Sequence, residues 1–148
     1  MGLDMYLSRK TYVKNWGGDK WQVSVTCEGK PSHINPAKIA YIEEEVGYWR
    51  KSNQIHKWFV ENVQEGKDDC GNYYVSHEDL TKLKDVCQKV LDNPNLGSQL
   101  LPTTRGFFFG NTDYDQDYLD DLRETIKICD DAMSVEPGKA SLYYSSSW

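Results

Sequence analysis

The run from Trp49 to Val60 gathers side chains that can bind or orient charge: Trp49, Arg50, Asn53, His56 and Lys57. Asn53 and His56 stand three residues apart, so on a helix they are neighbours. The surrounding spacing asks for Leu or Val at both positions. A carboxamide and an imidazole in an apolar seam must find hydrogen-bond partners, and two outcomes meet that demand. Either the pair is satisfied inside the core and specifies packing, or it opens on a pocket and reads the polar edges of a ligand. In the second case Arg50 and Lys57 are rim charges. Arg50 can grip a phosphate or carboxylate through two parallel hydrogen bonds, and Trp49 or Trp58 can stack on a base. Farther along, Arg105-Gly106-Phe107-Phe108-Phe109-Gly110 places three aromatics between glycines behind a cation. That pattern suits a short buried strand or a tight pocket loop. Arg105 would meet negative charge there, and Phe108 would cover an aromatic ligand.

Other constellations compete with this one. Asp68-Asp69-Cys70 follows the helical run; its acids either are solvated or place a carboxylate beside His56, as in acid–base sites. Cys70 with His56 would make a thiol nucleophile only if the fold joined them. Asp113, Asp115, Asp117 and Glu124 match positions 1, 3, 5 and 12 of a calcium loop. Tyr118 stands where that loop needs Gly, and acids at a helix N-terminus are explained by the helix dipole. No Gly-rich phosphate loop, G-x-S-x-G or H-E-x-x-H occurs. No metal or cofactor is therefore expected.

The elements that must position these residues can be read from periodicity and punctuation. Residues 3–14 alternate as a strand, and Asn15-Trp16-Gly17-Gly18-Asp19 supplies a turn. Trp21, Val23, Val25 and Cys27 share a face of the next strand, so the two runs read as a β-hairpin. Asn35-Pro36 looks like an N-cap with proline at the first helical position. From Ile39 the apolar stripe Ile42, Val46, Trp49, Asn53, His56, Val60 and Val63 follows a 3,4 spacing to Gly66, which predicts one long helix. Gly47 is its weak point, so an alternative keeps 39–43 extended and starts the helix near Val46. Ser76-His77-Glu78-Asp79 forms a capping box before a second helix burying Leu80, Leu83, Cys87 and Val90 and ending before Asn93-Pro94. Thr112 with Asp115 caps a third, striped by Leu119, Leu122, Ile126, Cys129 and Met133. The tail from Ala140 to Trp148 is strand-like. The order ββ, three helices, β predicts an α+β fold, with about three helices on a small, mostly antiparallel sheet.

The bulk numbers bound the function class. A chain of 148 residues is one domain, 1–148, with 39% hydrophobic and 27% charged residues. No apolar run is long enough to cross a bilayer, and the first residues lack the basic start and apolar core of a secretory signal. Gly2 would suit myristoylation, but Tyr6 occupies the position that needs Ser or Thr. A net charge of −6 argues against polymeric nucleic acid as a partner, but not against one small anion in a locally basic pocket. Four cysteines without a C-x-x-C pair suit a reduced, cytoplasmic protein. Ten Tyr, five Trp and four Phe supply contact area for core, pocket and interface alike, and make a homodimer plausible.

Several blocks are similar to a known family. The opening Met1-Gly2-Leu3-Asp4-Met5-Tyr6-Leu7, residues 45–59, Asp68-Asp69-Cys70, Leu100-Leu101-Pro102-Thr103, residues 106–110 and the Tyr-Tyr-Ser-Ser-Ser-Trp end resemble small proteins of phages, prophages and their bacterial hosts. The resemblance spans nearly the whole chain and carries over no catalytic residue. It implies a compact accessory protein acting in the host cytoplasm. Proteins of that class often inhibit or sequester components of host defence, an analogy of class. The expected function is non-enzymatic binding of a small polar or nucleotide-derived ligand. The alternatives are a protein–protein inhibitor anchored by exposed aromatics and a small hydrolase with His56 as base.

Overall fold

The computed structural model describes residues 2–14, 20–106 and 109–148. The chain forms strands β1 (Asp4–Tyr12), β2 (Thr26–Cys27), β3 (Lys30–Pro31) and β4 (Tyr41–Arg50), then helix α1 (Asn53–Asn62) and strand β5 (Tyr73–Val75). Helices α2 (His77–Asp92), α3 (Gly97–Leu100) and α4 (Gln116–Ala132) follow, and β6 (Ser141–Ser147) closes the chain. The main sheet is antiparallel throughout, in the order β4-β1-β6-β5; among the described residues β2 and β3 pair only with each other. Helices pack on one sheet face around a single core, which makes this a one-domain α+β fold. No helix among the described residues is long and apolar enough to cross a membrane.

Strand alternation sorts the two faces. Met5, Leu7, Trp49, Leu142 and Tyr144 point under the helices and are buried, whereas Tyr6, Tyr48, Tyr74 and Tyr143 lie on the opposite face. Phe59 of α1 stacks on Tyr144 of β6 with ring centroids 3.8 Å apart and planes 7° from parallel. Leu80, Leu83, Cys87 and Val90 of α2 and Leu122 and Cys129 of α4 complete the core. Local signals place these helices well. Ser76 and Asp79 form the reciprocal capping box, and Asp115 caps α4 by accepting from the Tyr118 amide at 3.0 Å.

Two expectations are corrected. The first is the N-terminal β-hairpin: residues 21–25 form no strand, and β1 pairs instead with β4 and β6. The turn expected at residues 15–19 lies outside the described residues. The second is the long helix from Ile39: residues 41–50 are strand, and the helix begins only at Asn53. A β-bulge explains the misreading. Leu7 pairs with Gly47 while Ser8 pairs with Glu45, so Val46 is the extra residue. Inward positions are Ile42 and Glu44 before the bulge but Gly47 and Trp49 after it, and the strand loses its two-residue period. Gly47 has a specific reason to lack a side chain, because a Cβ there would overlap Ile128 of α4.

Candidate functional site

The β4–α1 junction turns sharply. Lys51 adopts a left-handed backbone, φ 55°, and its amide donates to the Leu3 carbonyl at 2.7 Å. The turn drives the first helical turn into the protein, leaving Asn53 and His56 each only 1% exposed. Asn53 clamps Thr104 on one side and Phe109 and Asn111 on the other. Its Nδ2 donates to the carbonyls of Phe109 at 3.0 Å and Asn111 at 2.8 Å, and its Oδ1 accepts from the Thr104 amide at 3.0 Å.

His56 is engaged on both sides of its ring. Nε2 lies 2.9 Å from Asp68 Oδ1, and Nδ1 lies 2.7 Å from the Tyr144 hydroxyl. A carboxylate only accepts, so Nε2 carries the proton, and Nδ1 of the neutral ring accepts from Tyr144. Burial lowers the His56 pKa below 6.5, although Asp68 opposes that shift. Burial also holds the Tyr144 phenol well above its usual range, with Asp68 and Cys70 adding to the effect. The hydrogen-bond chain therefore runs from a neutral phenol through a neutral imidazole to a carboxylate.

Asp68 is the end of that chain which meets solvent. Its Oδ1 also accepts from the Trp148 indole at 3.1 Å, while Oδ2 has no hydrogen-bond partner among the described residues. Asp68 lines a cavity of about 560 Å³ between α1, the 66–68 turn, residues 104–106, Phe109 and Trp148. Phe109 and Trp148 form an apolar corner, their ring centroids 6.1 Å apart. Lys57 and Arg105 bring positive charge to the wall. Lys57 is loosely paired with Glu61 at 3.9 Å, and Arg105 makes no ion pair among the described residues.

The residues singled out from sequence thus separate. His56, Lys57 and Arg105 share this cavity. Trp49 sits in the core, 4% exposed, donating to Thr125 Oγ1 at 2.9 Å and packing on Phe59 and Tyr144. Arg50 pairs with Asp4 at 3.3 Å. With Asn53, it borders a different cavity of about 340 Å³ that contains Asp113, Asp117 and Asp121. Burial raises the pKa of Asp121 there, opposed by a hydrogen bond from Gln54 at 3.2 Å and assisted by Asp117 and Asp120. Phe108 lies outside the described residues. Of the acids after α1, Asp68 does reach His56. Asp69 accepts instead from the Tyr73 hydroxyl and the Gly71 amide, bonds that lower its pKa. Cys70 is exposed and is not among the cavity's lining residues. Among the described residues, no group of three His, Cys, Asp or Glu side chains is placed to hold a metal.

Sequence reasoning missed Trp148, and it left open whether an acid after α1 meets His56 and which one does. The signal for Trp148 was present, since Leu142, Tyr144 and Ser146 are buried at every second position of β6 and Trp148 continues that face. Comparison with protein-family models, with curated proteins and with solved structures finds no match to this chain.

Proposed function

We propose that this is a non-enzymatic binding protein that sequesters a small anionic, nucleotide-derived ligand in the cavity beside Trp148. The observation that carries the reading is the joining of the Phe109–Trp148 corner to Lys57, Arg105 and Asp68 around about 560 Å³. That size falls within the range of about 300–1,000 Å³ typical of small-molecule sites, and an apolar wall with few convergent polar groups is their usual chemistry. The base would stack on Trp148, and the phosphate would meet Arg105 and Lys57. Asp68 Oδ2 would accept from N–H groups on the base edge. Because both nitrogens of His56 are already engaged, the ring supports Asp68 rather than acting as a base. A phage-type accessory role, removing a host signalling molecule in the host cytoplasm, rests on the family resemblance.

Calorimetry against cyclic and linear nucleotides tests this reading. Saturable binding is expected for at least one member, with the ligand recovered unchanged after long incubation. Arg105→Ala and Trp148→Ala should each weaken it about tenfold or more, equivalent to roughly 1.4 kcal/mol. A folded protein that binds nothing in the panel removes the proposal, and a product formed in the wild type but not in Asp68→Asn replaces it with catalysis.

A further inference from the structure

The sheet face turned away from the helices carries six tyrosines as cross-strand pairs. Ring centroids are 5.5 Å apart for Tyr6–Tyr48, 5.3 Å for Tyr12–Tyr41 and 6.1 Å for Tyr74–Tyr143. Tyr41 and Tyr74 are 55% and 61% exposed, so these rings are not there to fill a core. Ser8, Ser141, Ser145 and Ser147 stand among them on the same face. Tyrosine offers rigid amphipathic area at low entropic cost and serine offers adaptable hydrogen bonding, the combination that protein-recognition surfaces favour.

The face already shows what it accepts. Lys10 lies directly across from Glu43 in register but forms no ion pair among the described residues. Its ammonium sits instead 5.6 Å from the Tyr41 ring centroid and 5.7 Å from that of Tyr143. Glu43 and Glu45 are consequently exposed acids without an ion-pair partner among the described residues, whereas Glu44 is held by Arg9 at 3.0 Å. They lie on β4, which ends the sheet and, among the described residues, pairs only with β1. Residues 41–45 are all exposed, up to the bulge at Val46. An unpaired strand edge is a template for another strand. The charge decides which strand fits. A second copy joining antiparallel would set the 43–45 acids against themselves, on chains that each carry net −6. A cationic strand meets no such penalty.

We propose that the β4 edge and the adjoining tyrosines receive an extended, Lys- or Arg-bearing segment of another protein. The segment adds as a further strand along 41–45, pairs its cations with Glu43 and Glu45, and lays their stems on Tyr12, Tyr41 and Tyr48. The surface is separate from the Trp148 cavity and stands or falls independently of it.

The test uses a fluorescently labelled peptide of alternating lysine and valine, read by anisotropy on the full chain. Saturable binding is expected, together with slowed amide exchange in 41–45. A glutamate–valine peptide and a lysine–proline peptide should fail, the first for its charge and the second because proline cannot pair along an edge. The double variant Glu43→Lys/Glu45→Lys, at exposed positions and checked by thermal melting, should lose at least tenfold in affinity; Tyr41→Ser should lose less. No binding of the lysine–valine peptide overturns the proposal, as does equal binding of the lysine–proline peptide or undiminished binding by the double variant. Sedimentation showing a homodimer that the double variant disrupts would assign the edge to a second copy instead.

Discussion

His56 Nε2 and Asp68 Oδ1 meet at 2.9 Å, with the imidazole sealed in the core and the carboxylate open to the cavity. This arrangement makes the folded state sensitive to acid. Burial depresses the folded pKa of His56 below 6.5, so beneath that pH the unfolded chain takes up a proton that the folded chain refuses. The contribution to stability is complete above about pH 6.5 and declines as pH falls toward the depressed folded value. Urea unfolding between about pH 5 and 8 should show stability rising with pH across the lower half of that window. In His56→Gln the slope should flatten. A slope as steep in the variant as in the wild type would exclude His56 as its source.

The same pair predicts a division between fold and ligand at Asp68. Asn in its place can keep an acceptor toward His56 and Trp148, but presents an amide where Oδ2 stood. Asp68→Asn should therefore unfold at nearly the wild-type temperature. Its affinity for a base that offers N–H groups should fall about tenfold or more, since a donor would now face a donor. Calorimetry paired with thermal melting separates the two effects. Parallel loss of both would make Asp68 a structural residue.

Asn53 should behave in the opposite way. Removing its side chain leaves the Thr104 amide and the Phe109 and Asn111 carbonyls without the partner that ties their loop to α1. Asn53→Ala should cost roughly 1–3 kcal/mol. The Thr104 amide should also exchange faster than amides in α2. An unchanged denaturation midpoint would mean that water replaces all three bonds.

The distribution of what could be read from sequence follows the range of the signal. The Ser76–Asp79 box is local, settled within one helical turn, and stands as expected, whereas at α4 Asp115 is itself the cap and the Thr112 expected beside it takes no part. The 41–50 segment failed because its information is not local. Ile42, Val46 and Trp49 fit a helical spacing by coincidence, while the Val46 bulge hid the strand period. Moving that segment from helix to strand carried Trp49 into the core and set Arg50 beside Asp4, away from His56. The meeting of Asp68 with His56 depends on how the 63–72 connection folds back. Nothing in the spacing of the two residues encodes it. The hydroxyl that donates to His56 Nδ1 belongs to Tyr144, which is 88 residues away.

Gly47 gives a direct test of the strand assignment. In a helix, alanine would replace glycine with a gain in stability of up to about 1 kcal/mol. In the observed strand, its Cβ would collide with Ile128 and press on Leu7, so α4 would have to shift away from the sheet. Gly47→Ala should therefore lower stability by about 1–3 kcal/mol. Ile128→Ala, which is costly by itself in the wild type, should cost less in the Gly47→Ala background because it removes the colliding atoms. A double-mutant cycle by chemical denaturation measures that coupling. Stabilisation by the single alanine, or strictly additive losses, would contradict the contact between Gly47 and Ile128 that seats α4 on the sheet.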